Sequence, residues 1–107
     1  MDNQRRWLLI FGFPVPTGFS ERHTTLALEV PSSYPSAQID MFYVYPPLAL
    51  SSGGPLECTQ AQEVIRGQSY QRWSRHRTDA SAWRPGTDNV ITHLALVESA
   101  LAKEVQQ

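Results

Sequence analysis

Two nucleophiles and one base stand out in this chain: Ser74, Cys58 and His76. A serine hydroxyl attacks only when a base takes its proton. His76 lies two residues beyond Ser74, and imidazole is the side chain suited to proton transfer near neutral pH. In an extended segment, residues two apart point to one face. Ser74 is therefore read as a nucleophile with His76 as its base or orienter. The plainer alternative makes Ser74 a turn cap and His76 the partner of a buried carbonyl. Cys58 is the rival, because a thiolate is the stronger nucleophile. It follows Gly53-Gly54-Pro55, a loop where exposure is expected, although the adjacent Glu57 opposes thiolate formation. Its plainer reading is an inert small hydrophobe.

Arginines surround Ser74. Arg72, Arg75 and Arg77 flank it, and five of the nine basic residues lie between Arg66 and Arg84 against one acid, Asp79. Such a cluster suits a carboxylate or a developing oxyanion. Interleaved with Tyr70, Trp73 and Trp83, it also matches a nucleic-acid surface built from stacking platforms and phosphate contacts. Against that, the tryptophans would simply anchor an irregular loop to the core, and no helix-turn-helix, RNA-recognition or zinc-finger pattern accompanies them. Cys58, His76 and His93 are too widely spaced for a zinc site, with no Cys-x-x-Cys or His-x-x-x-His pair. The reading requires no cofactor. His23 is expected in a solvated turn, and His93 at the boundary of a helical face.

The elements that must position these groups follow from periodicity. Trp7 to Phe13 is bulky and apolar on both faces and is stopped by Pro14 and Pro16, which predicts a strand covered on both sides. Thr24 to Val30 alternates as a half-buried strand does. Asp40 to Tyr45 is a third strand closed by Pro46-Pro47, with Leu48-Ala49-Leu50 as a candidate extension. Short turns between the three predict an antiparallel meander. Leu56 to Arg66 is read as a helical turn ended by Gly67, Gln68 to Trp73 as extended, and Thr78 to Ala82 as loop. Thr87 or Asp88 is the expected N-cap of a terminal helix. Its stripe is Val90, Leu94, Val97, Leu101 and Val105. A sheet with one such cover is an α+β sandwich in one domain, residues 1–107.

Composition narrows the class. The chain is 41% hydrophobic and 18% charged with a net charge of −1, as a folded domain is. A single cysteine excludes an internal disulfide and points to a reducing, cytoplasmic setting. The longest apolar run is too short to span a membrane, and no signal peptide is expected.

The order of landmarks resembles the ubiquitin-conjugating enzyme superfamily. A Trp-led strand is followed by a strand ending near Tyr34-Pro35, an aromatic strand closed by Pro46-Pro47, and an irregular segment. Trp-x-Pro then precedes the last helix. Trp73-Ser74-Arg75-His76 and Trp83-Arg84-Pro85-Gly86-Thr87-Asp88 are similar to motifs of a bacterial branch, prokaryotic family E. The resemblance implies a UBC-like core in which the superfamily's amino-terminal helix is expected to be absent. It also departs from the superfamily: the His-Pro-Asn tripeptide is missing, and Ser74 stands nearest the position of the usual nucleophilic cysteine. What it implies is a protein that accepts a ubiquitin-like modifier from an adenylating activating enzyme and passes it to an amine. Ser74, or Cys58 instead, would carry the acyl group, with Arg72, Arg75 and Arg77 at the modifier's tail. A JAB-type metalloprotease that reverses conjugation is a further implied neighbour. The alternative is an inactive scaffold that binds the modifier or the activating enzyme.

Overall fold

The computed structural model describes residues 6–34, 36–56, 59–75 and 82–105. Five strands form one antiparallel sheet: β1 (Arg6–Pro14), β2 (His23–Val30), β3 (Phe42–Tyr45), β4 (Gln62–Ile65) and β5 (Gln68–Trp73). Among the described residues a single helix, α1 (Val90–Val105), follows. The strand order is β1-β2-β3-β5-β4, so the first three strands form the expected meander and β5 carries the sheet onward.

The sheet has two unlike faces. Leu8 and Ile10 of β1, Leu26 and Leu28 of β2, Phe42 and Val44 of β3 and Trp73 of β5 share the inner cluster with Val97 and Leu101 of α1. Alternation sends Trp7, Leu9, Ala27, Tyr43 and Tyr70 to the other side, where they form a second cluster with Ile65. That outer cluster is closed by its own aromatics: Trp7 meets Tyr43 edge-on at 5.1 Å, and Tyr45 meets Tyr70 at 5.5 Å. The expectation that β1 is covered on both sides is therefore only half met, since α1 packs on the inner face alone and Phe11 is 75% exposed.

Other boundaries shift for local reasons. Met41 has φ of 59°, outside the extended region, so β3 begins at Phe42 rather than Asp40. Leu48 to Leu50 does not prolong β3. Leu50 bridges to Phe19 instead, and the Ser20 N–H donates to the Ala49 carbonyl at 2.7 Å. No helical turn forms at the end of the 56–66 stretch. Residues 62–65 are a strand, joined to β5 through Arg66 and Gly67, with φ of 51° and 83°. Two consecutive positive φ values make the tight hairpin turn whose twist suits antiparallel strands.

The helix starts one residue later than expected. Asn89 is the N-cap, with its side-chain oxygen accepting the N–H groups of Ile91 at 2.9 Å and Thr92 at 3.2 Å. Thr92 answers by accepting the Asn89 N–H at 3.0 Å, a reciprocal cap that satisfies donors the helix itself cannot. Asp88 turns backward and accepts the Arg84 N–H at 2.7 Å. Val97 and Leu101 hold the centre of the predicted stripe, and His93 joins them.

Candidate functional site

β5 delivers the Ser74 segment. Trp73, its last residue, is fully buried, stacks on Phe42 with ring centroids 5.3 Å apart, and meets Phe19 at 6.0 Å. Its indole N–H donates to the side-chain oxygen of Gln71 at 2.8 Å. Gln71 also clamps Leu48, accepting its N–H at 3.0 Å and donating to its carbonyl at 3.1 Å. Both residues lie on the inner face of β5, so the strand's end is pinned to the core. With its ring buried, Trp73 is a core anchor, not a stacking platform for a base.

Immediately beyond, the chain turns. The Arg75 N–H donates to the Trp73 carbonyl at 3.0 Å, which puts Ser74 at the apex of a three-residue turn. Ser74 is half-buried. The extended geometry that would set Ser74 and His76 on one face thus ends at Trp73. His76 and Arg77 lie outside the described residues, as does Cys58. Among the described residues, none hydrogen-bonds the Ser74 hydroxyl.

The arginines grouped in sequence separate in space. Arg72 pairs with Tyr43 across the sheet and stands on the outer face, and its Nε is buried with no hydrogen-bond partner among the described residues. Arg75 lies on the inner side, its guanidinium 4.8 Å from the Trp73 ring centroid and 3.3 Å from a Glu104 carboxylate oxygen. A cation over an indole contributes about 0.5–1 kcal/mol, and a partly exposed ion pair adds up to about 1 kcal/mol. Arg75 therefore ties the Ser74 turn to the last turn of α1. A cavity of about 500 Å³ opens beside it, lined by Arg75, Leu96, Ala100, Lys103 and Glu104 among others.

Two motif residues act at the start of α1. The Tyr34 hydroxyl accepts the Val90 N–H at 3.0 Å, and its ring lies 6.3 Å from that of Trp83. Tyr34 and Trp83 therefore lock the helix entry. His93 is 1% exposed, not a boundary residue, and its Nε2 lies 2.9 Å from the Met41 carbonyl oxygen. The apolar stripe gives no sign of this, because a polar residue next to it is expected at the boundary of the helical face and not inside it. Gln71 was missed for a similar reason: a glutamine in a basic segment carries no pattern of its own. Among the described residues, no three of His, Cys, Asp and Glu come together as metal ligands. Among them also, no helix is long and apolar enough to cross a membrane.

A meander sheet with one face sealed by a terminal helix, and an irregular segment between them carrying Ser74, defines an α+β domain with a UBC-like core. The sequence model of prokaryotic E2 family E matches residues 1–104, and the chain belongs to that family. No curated protein and no solved structure matches the chain. Membership places it among proteins of ubiquitin-like modifier conjugation, which in general meet a modifier and an activating enzyme.

Proposed function

We propose that this protein carries the C-terminal acyl group of a ubiquitin-like modifier and transfers it to an amine. Ser74 is the carrier and Cys58 the alternative. The observation that supports this most is the placement of Ser74 at the apex of a turn. Trp73 fixes one side of that turn in the core, and Arg75, next to a cavity, borders the other. A nucleophile on a rigid base loses little freedom on reaching the reacting geometry. His76 serves as the base that takes the hydroxyl proton. Arg75 and Arg77 supply positive charge near the modifier's tail, whereas Arg72, on the opposite sheet face, takes no part there. The protein works in the cytoplasm with a modifier, an adenylating enzyme and a JAB-type metalloprotease that reverses the reaction.

A scaffold without chemistry is the second reading. It is favoured by Arg75, whose guanidinium is already engaged by Trp73 and Glu104. The experiment is intact-mass analysis after mixing the protein with a ubiquitin-like modifier, its activating enzyme and ATP. Wild type is compared with Ser74→Ala and Cys58→Ala, with and without hydroxylamine. An adduct lost only in Ser74→Ala identifies an oxyester carrier. One lost only in Cys58→Ala, and released by thiols, moves the carrier to the loop. No adduct with a demonstrably active activating enzyme leaves the scaffold.

A further inference from the structure

The strand order gives the sheet two edges, β1 and β4. A bare edge offers its N–H and C=O groups to any other strand, and folded proteins blunt it with shortness or charge. β4 follows that rule. It has four residues, Glu63 among them, and the Ser69 hydroxyl holds the Gln62 side chain at 2.7 Å. β1 does not follow it: the strand runs for nine residues, Arg6–Pro14, and carries one charge. That charge is turned away from the edge, since the Arg6 guanidinium donates to the Pro31 carbonyl at 3.0 Å, just past the end of β2.

Burial follows the same division. Leu26, Ala27 and Leu28 of β2, with a strand on either side, are 0% exposed. Trp7, Leu8, Leu9 and Ile10 of β1 point to the same two faces, yet all four are only half-buried, and Phe11 is 75% exposed. Among the described residues, β1 pairs with β2 alone. A second neighbouring strand is what β2 has and β1 lacks.

The residues of this edge say which strand fits it. Trp7-Leu8-Leu9-Ile10-Phe11 reads alike in both directions: aromatic, aliphatic, Leu9, aliphatic, aromatic. In an antiparallel pair of two such strands centred on Leu9, Trp7 meets Phe11, Leu8 meets Ile10, and Leu9 meets itself. Inner-face residues then stand opposite inner-face residues, as a continuous sheet requires, and aromatic cross-strand pairs are among the stabilising ones. Centring on Leu8 would set Arg6 against Ile10. Centring on Ile10 would run the ladder into the bulge between Ile10 and Phe13, where Gly12 has φ of 69°. From this self-complementarity we propose that β1 pairs antiparallel with β1 of a second copy, about a two-fold axis at Leu9.

The two sheets become one, with α1 of each copy on the same face and the short, charged β4 at both outer edges. An isologous contact of this kind closes at two copies. β2 and β3 separate β5 from the joint, so the Ser74 turns stay clear of it, and the pairing does not depend on the acyl-carrier reading. Five residues a side span about 17 Å and exchange roughly four to six main-chain hydrogen bonds. So small a contact belongs with weak interfaces, below about 1,200 Å², and the dimer dissociates on dilution.

The test is sedimentation velocity on the full chain from micromolar to millimolar concentration, with hydrogen exchange read at both ends. The expected mass rises from 12.1 kDa towards twice that value, and alternate β1 amides gain protection with concentration. Leu9→Lys sets two ammonium groups face to face at the axis, and is expected to weaken the dimer about tenfold or more. Phe11→Glu, at a position already exposed, is expected to act the same way by setting a carboxylate against the indole of the second copy. It keeps the test valid if Leu9→Lys lowers the melting temperature. Val64→Lys, on the exposed side of β4, is expected to leave the dimer unchanged. A monomer at every concentration overturns the proposal, as does a dimer that survives both β1 variants. Loss of the dimer in Val64→Lys moves the contact to β4, and growth past two copies makes the edge open-ended; either result overturns the closed pairing. Protection of β1 that appears only when a ubiquitin-like modifier is added gives the edge to a partner's strand and also overturns it.

Discussion

Gln71 and Trp73, two residues apart on the inner face of β5, share a single oxygen: the Gln71 side-chain carbonyl accepts the Trp73 indole N–H at 2.8 Å and the Leu48 N–H at 3.0 Å. Replacing Gln71 with alanine leaves both donors unpaired where water reaches poorly. Each such group costs about 1–3 kcal/mol. Gln71→Ala is expected to lower stability by about 2–4 kcal/mol on that basis, read as a lower urea midpoint at unchanged slope. A loss below about 0.5 kcal/mol, the ordinary surface range, would show that the clamp is incidental.

The N-cap is separable from the site. Asn89→Ala removes the acceptor for the Ile91 and Thr92 N–H groups, at a cost of about 1 kcal/mol. Asn89→Asp keeps the acceptor and places negative charge at the positive end of the helix, so it is expected to match or exceed the parent. Thermal melts of the three proteins decide this, and equal melting temperatures for Asn89→Ala and the parent would move the helix start elsewhere.

Gly18 is required for close approach. Its φ is 118°, and an added Cβ would stand 2.7 Å from Val105 Cγ1 at the end of α1. Gly53 also has positive φ, 82°, but an added Cβ there meets nothing within 4 Å. Backbone strain at either site is of order 1–3 kcal/mol, and only Gly18 adds a collision. Gly18→Ala should therefore be the more damaging of the two by chemical denaturation, with the helix end loosened in hydrogen exchange. Equal losses would mean that strain alone accounts for both.

Alkaline stability should report on the outer cluster. Burial raises the Tyr70 phenol above its ordinary value of 10.0; nearby Tyr45 pushes the same way, and Arg66 opposes both. The folded state thus holds this proton more tightly than the unfolded chain does. Its contribution is complete below pH 10.0 and is lost as pH rises through the folded value. Unfolding free energy is expected to fall with pH above that point, and less steeply in Tyr70→Phe. Identical slopes in the two proteins would assign the alkaline loss to other groups.

Local pattern alone determined β1, β2 and the stripe of α1, because a bulky apolar run stopped by prolines, alternation at two residues and recurrence near 3.6 are properties of neighbours along the chain. The same holds for the segment that carries Ser74, which its residue types single out. Tertiary structure decided what depends on distant partners. Gln62 to Ile65 has no period strong enough to choose a conformation, and pairing with β5 makes it a strand. Arg72 and Arg75 look equivalent in a basic run, yet the first ends on the outer sheet face and the second reaches Glu104, twenty-nine positions away. Tyr34 caps α1 from fifty-six positions upstream, and His93 reaches the Met41 carbonyl across fifty-two. A buried polar group needs its partner wherever the chain brings one. Folding, and not sequence proximity, therefore chose these partners.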